Sequence, residues 1–349
     1  MGDLLIYGAG GFTGRLLVEE ARRRGLRPIL AGRTAAKLRA IPSSSELSVR
    51  ELPLTDPRRL ERGLNGVSVV LNAAGPFSAT AGPLVLACLR QGSHYLDITG
   101  EATVIESLAR RDADARAAGV TVMPSIGFDV VPSDCLALHV ARRAPATAAL
   151  HIGLSGLALL SRGSARTIID SLDKPTLARR NGALRGIPTS TARSFDFGRG
   201  PSRSVAMTWG DVATAFYSTG VRDVTTYFER TAPVLIHNTA VRLWGWAVPY
   251  TPWQSLLGVM TDWLPEGPDA RTRDERQAVI VVEAEQAGRV VARARMRTPE
   301  AYTFTAQVGM AVAQRVLDGD QQPGFQTAAR VFGADFVLGL PGVAREDLA

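Results

Sequence analysis

Over the first third of the chain, short apolar runs alternate with helix-period segments, and this alternation restricts the fold more than any other feature. The runs are DLLIY, RPILAG, LSVREL, VSVVLNAAG, HYLDI and VTVMPS. Between them lie FTGRLLVEEARRRG, AAKLRAI, PRRLERGL, ATAGPLVLACLRQG and ATVIESLARRDADARAAG. Strands that are apolar almost throughout are covered on both faces, and strands separated by helices run parallel. The pattern predicts an α/β domain with a doubly wound parallel sheet over residues 1–128.

After PSIGFDVVPSD the rhythm changes. ALHIGLSGLAL, ARSFDF, SRSVAMTW and VTTYF read as strands of another sheet, and RQAVIVVEAE with RVVARARMRT reads as a hairpin turning at QAG. LARRNGALRGIPTST reads as a basic loop. Residues 129–300 are expected to form a second, α+β domain with an antiparallel sheet, serving substrate binding and dimerisation. Residues 301–349 hold an amphipathic helix, EAYTFTAQVGMAVAQRVLDG, and the tail GFQTAARVFGADFVLGL, both expected to pack back on the first domain. A length of 349 residues suits such a division.

Composition excludes several classes. Of 40 basic residues only Lys37 and Lys174 are lysines, and the arginines alternate with acids along helices, so the net charge of +7 describes solvated faces rather than a nucleic-acid stripe. Cys88 and Cys135 stand outside any paired spacing, and His94, His139, His151 and His237 are scattered, so no metal site is expected. The apolar start DLLIY is too short for a leader, and no run approaches the roughly 20 apolar residues of a membrane span. The expectation is a cytoplasmic protein.

Residues 6–17 read IYGAGGFTGRLL. Gly8 permits a tight turn after the first strand, Gly11 lets backbone approach an anion, and Gly14 lets the following helix pack against the strand. The helix N-terminus directs free N–H groups at that anion, and Thr13 adds a hydroxyl. Within a run of βα units, this predicts a Rossmann-type cradle for the diphosphate of a dinucleotide. The second strand ends in LAGRTAAKL, with Arg33 where an NAD site carries an acid. Arg33, with Thr34 and Lys37, suits a 2′-phosphate, so the expected cofactor is NADP(H). At the carboxyl edge of the sheet, Asp56 is expected near adenine. The segments Asn72–Phe77 and Asp97–Glu101 lie where the cofactor crosses.

Together GAGGFTG, LAGRTAAKL, NAAGPF, HYLDITGE and SIGFDVVPSD resemble the saccharopine dehydrogenase-like oxidoreductases, with a closer likeness to the trans-acting enoyl reductase branch. The resemblance is dense over residues 1–140 and patchier beyond, where RTPEAYTFTA and GFQTAARVFG also fit. It implies that Gly8, Gly11, Phe12, Thr13 and Gly14 hold the pyrophosphate and that Arg33 and Lys37 face the adenosine phosphate. It further implies that Ala73, Gly75, Pro76 and Phe77 line ribose and nicotinamide, with Gly127, Phe128 and Asp129 on the nicotinamide side. Asn72 and Gly100 belong to the same edge. The middle region keeps no pattern matching the dicarboxylate-binding residues of the amino-acid enzyme.

Hydride transfer needs a neutralising group where charge develops. Tyr95, Asp97 and Asp129 are the leading candidates for catalysis, with Glu101 and Tyr302 nearby; Asp129 also has a plausible role capping the helix that starts near Pro132. The expected reaction is NADPH-dependent reduction of a C=C (enoyl) bond in a small or acyl-type substrate. The alternatives are an imine or secondary-amine oxidoreductase and a non-catalytic NADP-binding scaffold or sensor at lipid surfaces. The tryptophan-rich segment 243–264 reads as core or a homodimer interface, and otherwise as a peripheral membrane contact. Arg179, Arg180 and Arg185 read as a solvated loop, and otherwise as holders for the phosphate of a carrier-bound substrate.

Overall fold

The computed structural model describes residues 3–42, 44–156, 174–231, 239 and 266–349. The segment 243–264 lies outside the described residues. The chain forms two compact units: residues 1–131 with 302–333, and residues 132–301 with 334–349.

In the first unit, β1 (Asp3–Tyr7), β2 (Ile29–Gly32), β3 (Val49–Glu51), β4 (Val67–Asn72), β5 (His94–Asp97) and β6 (Thr121–Met123) alternate with helices. These are α1 (Phe12–Arg23), α2 (Ala35–Arg39), α3 (Pro57–Gly63), α4 (Phe77–Gln91), α5 (Ala102–Ala109) and α6 (Asp112–Ala117). The strand interiors are buried on both faces, from Leu4–Tyr7 in β1 to Val69–Asn72 in β4, which is why they read as unbroken apolar runs. Val131 opens α7 (Val131–Arg143), within which the chain leaves this unit.

The second unit holds β7 (Ala149–Ser155), β8 (Leu177–Arg180), β9 (Ala183–Gly186), β10 (Ala192–Asp196), β11 (Pro201–Ala206), α8 (Asp211–Thr219), β12 (Asp223–Glu229), α9 (Ala270–Glu275), β13 (Gln277–Gln286) and β14 (Arg289–Pro299). The chain then runs through α10 (Ala301–Leu317), β15 (Gly324–Phe325), α11 (Ala328–Phe332) and β16 (Ala344–Leu348). The first sheet has seven strands in the order β15-β6-β5-β4-β1-β2-β3, all pairs parallel. The winding reverses between β1 and β4, the position at which doubly wound sheets open a ligand crevice.

The second sheet runs β10-β11-β12-β7-β13-β14-β16, with β8 and β9 attached to β12. It is mixed rather than purely antiparallel, because β12 pairs parallel to β7. Two expectations change here. LARRNGALRGIPTST is not an open loop: β8 and β9 form a hairpin whose turn residues Asn181 and Gly182 have φ of 51° and 79°. Asn-Gly suits that two-residue turn because both positions need positive φ. The tail also divides. Gly324 and Phe325 extend the first sheet beside β6, whereas Ala344–Leu348 pairs with β14 in the second. Residues 334–349 thus belong to the second unit rather than packing back on the first.

Polar groups of the second sheet pair across strands. Arg193 bridges Glu283 at 2.7 Å and Glu285 at 3.2 Å, and His151 meets Glu285 at 3.2 Å. Phe195 lies over Gly153, where an added Cβ would come within 2.7 Å of the ring. Arg179 is not a phosphate ligand. It is 2% exposed, donates to the carbonyls of Val212 and Gly182 at 2.7 Å, and sits 4.5 Å from the Phe216 ring centroid. Its guanidinium belongs to the core, held by carbonyls and an aromatic face.

Candidate dinucleotide site in the first unit

The glycine turn joins β1 to α1 at the point where the winding reverses. Gly8 has φ of 84°, and a Cβ there would lie 2.8 Å from the Ala74 amide. A Cβ on Gly14 would lie 2.2 Å from the Gly8 carbonyl oxygen. Both glycines are therefore demanded by the fold. Gly11 is different: it is exposed, has φ of −78°, and a Cβ would meet only the Gly8 oxygen at 3.3 Å. The fold alone does not require glycine there, but an anion seated against the helix start does. The first turn of α1 carries no acid and no side-chain cap, which leaves the positive end of the helix for such an anion. Phe12 meets Tyr302 of α10 edge-on, 5.2 Å between ring centroids.

At the end of β2, Arg33, Thr34 and Lys37 are exposed. Neither Arg33 nor Lys37 makes a hydrogen bond or ion pair among the described residues, although α1 nearby pairs Arg23 and Arg24 with Glu20 at 2.7 Å. Lys37 packs beside the glycine turn, since a Cβ on Gly10 would touch its backbone and Cβ at 3.4 Å. A turn that leaves room at Gly11 and two unpaired cations one strand away fit a phosphorylated dinucleotide. Asp56 is occupied locally: its carboxylate caps α3 by accepting from the Arg59 amide at 3.0 Å.

Farther along the edge, Tyr7, Asn72 and Asp97 stand side by side on three parallel strands. Asn72, Tyr95 and Asp97 are wholly buried. Asn72 donates to Thr80 and to the Tyr95 hydroxyl, both at 3.1 Å, and accepts from the Ala74 amide at 3.0 Å. The Tyr95 hydroxyl donates to Asp97 at 2.9 Å, and the other Asp97 oxygen accepts from the amides of Thr99 and Ser125 at 2.9 Å. Burial raises the Asp97 carboxyl to about 6, against the opposing pull of these donors. The Asp97 network ties together the loops after β4, β5 and β6. Ser125, at φ of 62°, is held in a left-handed conformation by its bond to Asp97.

Tyr95 and Asp97, expected as catalytic groups, are instead fully enclosed, and so are Asn72 and Phe128, expected at the cofactor. The Phe128 ring is 1% exposed and packs edge-on against Phe304, with centroids 6.1 Å apart. Its amide donates to Thr305 of α10 at 3.0 Å, and a Cβ on Gly127 would collide with the same threonine at 3.1 Å. Thr305 and Thr80 carry no local signal in the sequence; Thr305 lies 177 positions from Phe128. Ala73, Gly75, Pro76, Phe77 and Gly100 keep accessible surface along the edge. Glu101 accepts from the Phe77 amide at 2.8 Å and so closes the start of α4.

Asp129 is the exception among these acids. It is half-buried, and its carboxylate makes no hydrogen bond to the described residues, so it does not cap α7. Its oxygen lies 2.7 Å from where a Gly100 Cβ would be. Desolvation pushes this carboxyl up to about 7. The structure thus brings Gly100 and Asp129 together at the carboxyl edge, while Gly127 is buried against Thr305.

Residues 4–123 match the family described as the saccharopine dehydrogenase NADP binding domain. The first unit carries a saccharopine dehydrogenase NADP-binding domain. A trans-acting enoyl reductase of Mycobacterium leprae (strain TN) is 34% identical to this chain over 149 residues, 40% of the chain and 36% of that protein. A saccharopine dehydrogenase-like oxidoreductase of Bos taurus is 31% identical over 151 residues, 38% of the chain and 35% of that protein. The chain thus spans little more than a third of the length of these relatives. Apo histidine-tagged saccharopine dehydrogenase (L-Glu forming) from Saccharomyces cerevisiae shares the fold over 100% of both chains, with a TM-score of 0.64 at 13% identity. No helix among the described residues is long and apolar enough to cross a membrane.

Proposed function

We propose that this protein is an NADPH-dependent reductase of a carbon–carbon double bond conjugated to a carbonyl, in a small or acyl-type substrate. One observation carries the reading: an unpartnered carboxyl, Asp129, at the carboxyl edge of an NADP-binding domain, with its proton retained to near neutrality. When bound, the coenzyme supplies the hydride. Gly8, Gly11, Phe12, Thr13 and Gly14 grip its diphosphate through first-turn amides, and Arg33, Thr34 and Lys37 take the adenosine phosphate. Ala73, Gly75, Pro76, Phe77 and Gly100 line the ribose and nicotinamide side with backbone and small side chains. Asp129, protonated, gives its proton to the carbon next to the carbonyl. A group whose proton affinity lies near the working pH does this best. The Asp97 network keeps the three loops in register while this occurs. The similarity to trans-acting enoyl reductases supports the choice of a double bond as acceptor.

The test is direct. NADPH is mixed with enzyme and a panel of enoyl thioesters, cyclic imines and ketones, and coenzyme absorbance is followed. Oxidation with enoyl compounds supports the reading. Oxidation with imines alone reassigns the protein to secondary-amine chemistry. Tight NADPH binding with no turnover leaves a cofactor-binding scaffold or sensor.

A further inference from the structure

A carboxylate reaches the turn at the end of β2 that carries Arg33 and Lys37. Glu51, the last residue of β3, pairs in register with Gly32 at the end of β2. One of its oxygens accepts from the Ala35 amide at 3.0 Å, and the other meets Arg59 at 3.2 Å. Ala35 is the first residue of α2, two positions after Arg33 and two before Lys37. Glu51 therefore occupies the Ala35 amide, which leaves that donor closed to a phosphate at this turn. It also fixes a negative charge on the turn that carries Arg33 and Lys37, at the residue midway between them. Arg59, which is partly exposed and pairs with Glu51, and Arg39 beside it both act on that charge, and solvent screens both.

We propose that Glu51 is a specificity-determining residue for the coenzyme: it leaves recognition of the 2′-phosphate to the side chains of Arg33 and Lys37 and holds the affinity for that phosphate down by repulsion. The inference rests on the reading of Arg33 and Lys37 as phosphate ligands. The carboxylate acts on the phosphorylated coenzyme alone, because NADH brings no charge to this corner. Glutamine at this position keeps an oxygen for the Ala35 amide and removes only the charge, so the folded turn is preserved.

Dissociation constants for NADPH and NADH are measured by fluorescence titration on wild type, Glu51→Gln and Arg33→Ala at low and high salt. Glu51→Gln is expected to tighten NADPH by about three- to tenfold, the order expected for removing one nearby like charge in a solvated site, with NADH changed less than about twofold. The gain is expected to shrink at high salt, where exposed charges are screened. Equal changes for the two coenzymes, or weaker NADPH binding, would overturn the proposal. If Arg33→Ala abolishes the NADPH preference while Glu51→Gln leaves it untouched, the phosphate corner stands and the role of Glu51 fails. If wild type shows no NADPH preference, the corner itself is misread and both fall.

Discussion

Two buried-edge carboxyls, Asp97 at the end of β5 and Asp129 in the loop after β6, show how similar environments lead to different work. Desolvation raises both, to about 6 and about 7. Asp97 is enclosed and saturated by the Tyr95 hydroxyl and two amides, whereas Asp129 is half-buried and accepts nothing from the described residues. A raised carboxyl alone does not mark an acid catalyst. The distinguishing property is whether the proton has somewhere to go.

The largest effect tests that difference. Asp129→Asn is expected to lower kcat by about a hundredfold or more, the usual worth of a positioned acid, with NADPH affinity unchanged. Asp97→Asn should keep kcat within a few-fold, because the amide oxygen still accepts from Thr99 and Ser125. Equal losses in the two variants would erase the contrast.

The pH dependence sharpens it. With Asp129 as the proposed proton donor, kcat is expected to fall as pH rises through about 7. For stability the sign follows from the raised value. The contribution of Asp129 is fully present below the ordinary aspartate range and is lost as pH rises through about 7. Asp129→Asn should therefore raise the Tm more at pH 8 than at pH 5, measured by calorimetry. A Tm gain independent of pH would count against a desolvated Asp129.

Smaller effects probe the supports. Gly14→Ala places a Cβ 2.2 Å from a carbonyl and should destabilise the fold, whereas Gly11→Ala meets only one atom at 3.3 Å and should weaken NADPH binding with the Tm nearly intact. Similar Tm losses would show Gly11 to be structural. Tyr95→Phe removes a buried hydroxyl between Asn72 and Asp97, with an expected cost of about 1–3 kcal/mol in chemical denaturation and little change in coenzyme affinity.

The site was legible in parts. The glycine turn, Arg33 and Lys37 lie next to strands whose apolar runs announce them, so their place at the sheet edge follows from local pattern. Tyr95 and Asp97 share one strand face, but the same alternation fits a lining residue and a buried one. Phe128 looked like a cofactor wall until Phe304 and Thr305, from α10, turned out to enclose it. The Asn181-Gly182 turn was a local signal overlooked among arginines, since β8 and β9 carry too little apolar alternation to stand out.

The amino-acid sequence by itself determined the parallel sheet, the glycine turn into the uncapped start of α1 and the cations at the end of β2, because periodicity and glycine geometry act over a few residues. Only the tertiary structure decided which carboxyl is enclosed and which is left without a partner, and that Glu51 reaches the turn at Ala35. It also decided that residues 344–348 complete the second sheet rather than the first. Burial and hydrogen-bond saturation are sums over neighbours far apart in the chain, and no local pattern encodes them.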